Sequence, residues 1–166
     1  MNIFTKSLIG LTSVVAFQTA AVAATITSPA GTPVTASGQL TQDLNGNLTT
    51  VCNLTFTGTV DADQKGMTFT SYTGTKVGSG LLACDDGLVL PLHVEATSPT
   101  SVTIKGLTVS TRLGDCGPAD VVGSYSGGVA GPLYGSLPGT SGVLAAIHGE
   151  CHASGSLTLS PAIVIN

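Results

Sequence analysis

From Leu48 to Val60 the apolar residues Cys52, Leu54, Phe56 and Val60 occupy even positions, and Thr49, Asn53, Thr55, Thr57 and Thr59 fall between them. A period of two puts successive side chains on opposite faces of an extended chain, so the segment reads as a half-buried strand with Cys52 facing inward. Leu88, Leu90, Leu92, Val94 and Ala96 repeat the pattern and leave His93 and Glu95 on the other face. Pro91 falls inside this run and cannot donate a ladder hydrogen bond, which predicts that the strand lies at a sheet edge or contains a bulge. Val102 and Ile104 keep one phase, Leu107 and Val109 the other, so the one-residue slip marks Gly106 as a bulge or bend. Cys151, Ala153, Gly155, Leu157, Leu159, Ile163 and Ile165 share a parity with Val143, Ala145 and Ile147. One strand through all of them would be about 75 Å long, so a break is expected near Gly149 or within 153–155.

No window carries a 3.6-residue apolar repeat, and helix is expected to be scarce. Ser28–Pro33, Gly78–Gly80 and Gly127–Gly142 read as Gly- and Pro-rich connections, the last being the longest. Together these patterns predict an all-β fold, a single Greek-key-like β-sandwich, with a β-barrel as the alternative.

The first residues carry Lys6, an apolar run from Leu8 to Phe17, and the small residues Ala20, Ala21, Val22, Ala23 and Ala24. That order is a secretory signal peptide, and its run of about ten apolar residues is short of the roughly 20 that cross a bilayer. The expected organisation is a signal peptide over 1–24 and a secreted all-β domain over 25–166 without a transmembrane anchor. The expected location is extracellular or at the cell surface, with the periplasm as a further possibility. Beyond the leader, Lys65, Lys76, Lys105 and Arg112 face nine acidic residues. That balance excludes nucleic acid as a partner, since phosphate binding rests on clustered cations.

An even number of cysteines in an exported chain, here Cys52, Cys84, Cys116 and Cys151, reads as two disulfides. Three pairings exist; Cys52 with Cys84 and Cys116 with Cys151 is favoured because strands consecutive in the chain tend to be neighbours. A four-thiolate zinc site would need closely spaced cysteine pairs, which are absent.

The sharpest local candidate for chemistry is His148, Glu150 and His152. On an extended strand they would project from one face and offer two imidazoles and a carboxylate to a metal; the plainer reading is a polar outer face beside Cys151. Asp85-Asp86-Gly87 is a turn signal rather than a calcium loop, which needs more oxygen ligands. Gly123-Ser124-Tyr125-Ser126-Gly127 lacks the central serine of a nucleophile elbow. With no Trp in the chain, sugar stacking would fall to the tyrosines, and Asn47-Leu48-Thr49 and Asn53-Leu54-Thr55 match the glycosylation acceptor pattern. No catalytic residues and no cofactor are expected.

Ala24-Thr25-Ile26-Thr27, Val51-Cys52-Asn53-Leu54-Thr55-Phe56-Thr57-Gly58, Leu113-Gly114-Asp115-Cys116, and Cys151 leading into Ser154-Gly155-Ser156-Leu157-Thr158-Leu159-Ser160-Pro161-Ala162 carry a resemblance over nearly the whole chain. The sequence resembles the PraB-type family of secreted bacterial proteins called protein activators of alkane oxidation. The resemblance implies an extracellular accessory that helps cells use long-chain alkanes, with a hydrophobic substrate interface or cell-surface and matrix components as partners. It supplies no catalytic motif to carry over. The alternative is a structural subunit of an extracellular fibre or biofilm matrix, in which Ile163-Val164-Ile165-Asn166 would serve as a donor strand.

Overall fold

The computed structural model describes residues 24–45, 48–79, 83–85 and 87–166. Apart from Ala24, the expected signal peptide lies outside the described residues. Eight strands form in the order β1 Pro33–Leu44, β2 Leu48–Val60, β3 Gly66–Val77, β4 Leu92–Ser98, β5 Ser101–Thr111, β6 Gly114–Ser126, β7 Val129–Pro138 and β8 Glu150–Ser160. One short helix, α1 Gly142–Ala146, lies between β7 and β8.

Each strand pairs antiparallel with the next, and β1 closes on β8 along a ladder from Thr35↔Ser160 to Leu44↔Cys151. The architecture is therefore an up-and-down closed barrel, and the expected Greek-key sandwich is not formed. Alternation requires only that one face be buried, which a second sheet or the same sheet curled on itself satisfies equally well.

Phe56, Leu54, Val34, Val102 and Val121 point inward and are almost wholly buried. Phe56 centres an aromatic group, its ring 5.9 Å from Phe69 and 5.7 Å from Tyr72. The bulge expected at Gly106 is present: the β5–β6 register shifts between Ile104 and Leu107, and Gly106 has φ +57°. Left-handed backbone of this kind favours glycine. β4 starts after Pro91 and is flanked by both β3 and β5, so it is not an edge; the bulge alternative is met by the register shift between Ala96 and Ser98, and Leu88 makes only an isolated bridge to Val109.

Gly127–Gly142, read as a connection, is mostly β7. Its inward residues Ala130, Leu133 and Leu137 change phase at a register shift between Ala130 and Leu133, which hides the period of two. Further on, the break expected near Gly149 is real, but Val143 to Ile147 share their parity with β8 by coincidence, because they lie in and just after α1.

The two barrel ends close differently. At one end the first and last described segments form a strap: Thr25 and Asn166 exchange backbone hydrogen bonds of 3.0 and 2.9 Å, Ile26 bridges Ile165, and Ile26, Ile163 and Ile165 are buried. Tyr125, buried on β6, donates its hydroxyl to the Ile163 carbonyl. Burial raises the pKa of that hydroxyl, opposed in part by the hydrogen bond it makes.

At the other end α1 sinks Leu144, and both disulfides lie nearby. Cys52 on β2 joins Cys84 in the β3–β4 connection, which presses so close that a Cβ on Gly74 would stand 1.8 Å from the Cys84 carbonyl oxygen. Cys116 joins Cys151, as expected, yet β6 and β8 are not neighbours. Cys151 is in register with Leu137 and Cys116 bridges Gly139, so the bond spans the inner side of β7.

Two outcomes follow. Replacing Cys116 and Cys151 with alanine, which opens a separation of 35 residues, will lower the unfolding free energy by roughly 3–4 kcal/mol in urea titrations. Tyr125→Phe will cost about 1 kcal/mol in the same assay, because the Ile163 carbonyl is left without its donor.

Candidate functional site

Eight strands make a barrel whose interior side chains can fill. One cavity among the described residues, lined by Met67, Phe69, Ile104, Leu133, Leu157 and Leu159, measures about 20 Å³. That is room for about one water molecule, and an alkane chain does not fit. The polar and charged groups of the described barrel lie mainly on its outside and at its ends.

The outer wall carries hydroxyls. Thr35 and Ser37 on β1 stand in register with Thr57 and Thr55 on β2 and with Ser160 and Thr158 on β8. This apolar-in, hydroxyl-out alternation is the reverse of the one in outer-membrane barrels, whose apolar band faces lipid. No helix among the described residues is long and apolar enough to cross a membrane.

Of the three candidate ligands, two come together. His152 Nε2 lies 3.8 Å from Glu150 Oε2. His148 is exposed in the turn after α1 with φ +52°, so the extended geometry needed to align all three is absent. Among the described residues no group of three or more His, Cys, Asp and Glu side chains is placed to hold a metal ion. The structure supplies two partners that the sequence did not reveal. The Tyr134 ring lies 6.3 Å from that of His152, with the planes 13° apart, and Ser136 donates its hydroxyl to Glu150 Oε2 at 3.1 Å. Both residues come from β7, in the stretch read as a loop. Asp86 and Asn47 lie outside the described residues; Asn53 is exposed on β2 and accepts from Gln39 at 3.3 Å.

Two charged clusters act as clamps. In the β2–β3 turn, Asp61 Oδ1 accepts from the Thr68 hydroxyl at 2.6 Å, and His93 Nδ1 lies 3.2 Å from Asp61 Oδ2. This group ties the shortest ladder of the barrel, Gly66↔Glu95 to Phe69↔Leu92. Thr68 sits on the Nδ1 side of His93, 3.3 Å away, and not at the Nε2 where a triad would activate a nucleophile.

Across β5 and β6, Lys105 pairs with Asp120, whose other oxygen accepts the Gly106 N–H at 2.9 Å and so fixes the bulge. The Lys105 hydrogen bond, then the one from Gly106, holds the Asp120 carboxyl below its ordinary pKa, and the same pairing raises Lys105. Both side chains are exposed to solvent, which screens the pair.

Exposed aliphatic side chains occur at the helix end, and Val122, Val129 and Val164 are exposed elsewhere on the barrel. Val77 closes β3, Val89 lies beside Thr108, Leu113 turns from β5 into β6, and Val143 and Ile147 sit four residues apart on and just after α1. The backbone of α1 is pinned there, with Leu144 N–H donating to the Leu113 carbonyl at 3.2 Å. Val143 and Ile147 are 54% and 55% exposed.

These features define a class: a closed, disulfide-stapled antiparallel barrel with an apolar filling, and with its polar clusters and exposed apolar groups on the outside. Within that class the assignment is direct. The profile of the family described as alkane oxidation protein activator PraA/PraB-like matches residues 1–166, and the chain belongs to that family. Comparison with curated proteins and with solved structures gave no match.

The Asp120 clamp gives a pH signature. A carboxylate with a lowered native pKa stabilises above the ordinary value of 3.8 and loses that contribution as pH falls through its native value. Lys105, raised, contributes below 10.5 and loses its share as pH climbs past it. Carboxyl NMR titration will place the Asp120 midpoint below 3.8, and Lys105→Met will move it upward.

Proposed function

We propose that this protein is a non-catalytic secreted accessory that promotes alkane use by adsorbing at oil–water or oil–cell interfaces through the aliphatic end of its barrel. The observation that carries this reading is the cluster of Leu113, Val143 and Ile147, exposed around a helix whose only buried residue is Leu144. Membership of the alkane oxidation activator family supplies the substrate class. The small cavity among Met67, Phe69, Ile104, Leu133, Leu157 and Leu159 gives no support to carriage of alkane inside the barrel.

At about 25 cal/mol per Å², covering the open half of an aliphatic side chain contributes on the order of 1 kcal/mol. A handful of such residues gives reversible adsorption, suited to a protein that must leave the interface again. The two disulfides favour this use, because a cross-linked barrel resists spreading on oil. Export to an oxidising compartment agrees with the leader and the cystines. The fibre alternative receives less support, since Ile163 and Ile165 are buried in the strap and the closed barrel offers no free sheet edge.

The test is pendant-drop tensiometry of the mature protein at a hexadecane–water interface. The native protein is expected to lower the tension, and the triple variant Leu113→Ser, Val143→Ser, Ile147→Ser to need about tenfold more protein for the same effect, with unchanged urea unfolding. A native protein without interfacial activity, or a variant equal to it, would overturn the reading.

A further inference from the structure

We propose that Tyr134, His152 and Glu150 form a binding site for an uncharged polysaccharide on the outer wall of β7 and β8. Tyr134 is 64% exposed, the most open of the exposed large apolar and aromatic side chains, and Phe56, Phe69 and Tyr125 are buried. An aromatic ring with its face to solvent is a platform for the C–H face of a sugar ring, which its electron-rich surface attracts.

The platform is held in place before any ligand arrives. Its ring is stacked with that of His152, 13° from parallel, and His152 Nε2 faces Glu150 at 3.8 Å. Glu150 is fixed twice: Ser136 donates to its carboxylate at 3.1 Å, and its backbone N–H donates to Asn45 Oδ1 at 2.7 Å. A carboxylate beside a stacked aromatic accepts hydrogen bonds from sugar hydroxyls, and pre-organisation limits the entropy lost on binding.

The surroundings select the ligand class. Tyr134 is in register with Val122 on one side and Ser154 on the other, and Ser154 with Thr41 beyond. Neither β7 nor β8 contains a Lys or Arg, so an anionic polymer would meet the Glu150 carboxylate without a cation of either strand to offset it. An alkane fits poorly, because it would desolvate that carboxylate without giving it a partner. A neutral, hydroxyl-bearing chain satisfies both the ring and the acceptor. The site is distinct from the aliphatic end and needs none of its side chains.

The mature protein should be tested for retention on regenerated cellulose and on amylose resin, with hexadecane droplets as the competing occupant. Retention on at least one glucan is expected, weakened about tenfold in Tyr134→Ala and in Glu150→Gln, and kept within about twofold in Tyr134→Phe. Leu113→Ser, Val143→Ser, Ile147→Ser should bind glucan like the native protein, which separates this site from interfacial adsorption. Failure to bind either glucan would overturn the proposal. So would undiminished binding by Tyr134→Ala, or a Tyr134 dependence seen only on hexadecane droplets.

Discussion

The ladder between β1 and β8 is the constraint on which the remaining structure rests. Without it the first and last strands would each present unpaired N–H and C=O groups, and the inward faces of Val34, Ala36, Leu157 and Leu159 would open to water. With it, one sheet of eight strands buries its own apolar face. A small barrel of this kind leaves its ends as the places where the core can leak, and the chain invests its irregular segments there.

Each end is sealed by a different device. The strap brings residues from the two extremes of the described chain together, so Ile26, Ile163 and Ile165 cover one mouth. The other mouth is filled by α1 and by the Cys84 segment packed over Gly74, with both cystines holding the surrounding strands. Because the Cys116–Cys151 bond spans β7, it restrains three strands at once. The Asp120 and Asp61 groups act on the wall instead, one fixing a bulge and the other the shortest seam.

A core this full pushes function outward. The wall carries many hydroxyls and few charges, and among the features that depart from it are the aliphatic helix end and the Tyr134 platform. One suits an oil interface and the other a hydrated polymer. The chain belongs to the alkane oxidation protein activator PraA/PraB-like family.

The strands that became β2, β4, β5 and β8, the bulge at Gly106 and the break near Gly149 were legible in the sequence from local parity and glycine conformation. The cystine pairing came out as expected although β6 and β8, which carry Cys116 and Cys151, are not neighbours. The site was legible only in part. Glu150 and His152 stand two apart on one strand, while Tyr134 and Ser136 reach them through β7–β8 pairing, and the phase slip at Gly131 and Pro132 concealed β7 itself. The sequence alone determined that the chain would be extended, amphipathic and cross-linked, since those properties are set by neighbours within a few residues. Whether the sheet closes on itself, what plugs its ends and which side chains meet across strands were decided by tertiary structure. Such choices depend on register between segments more than a hundred residues apart, as in Thr35↔Ser160, and no local pattern encodes that register.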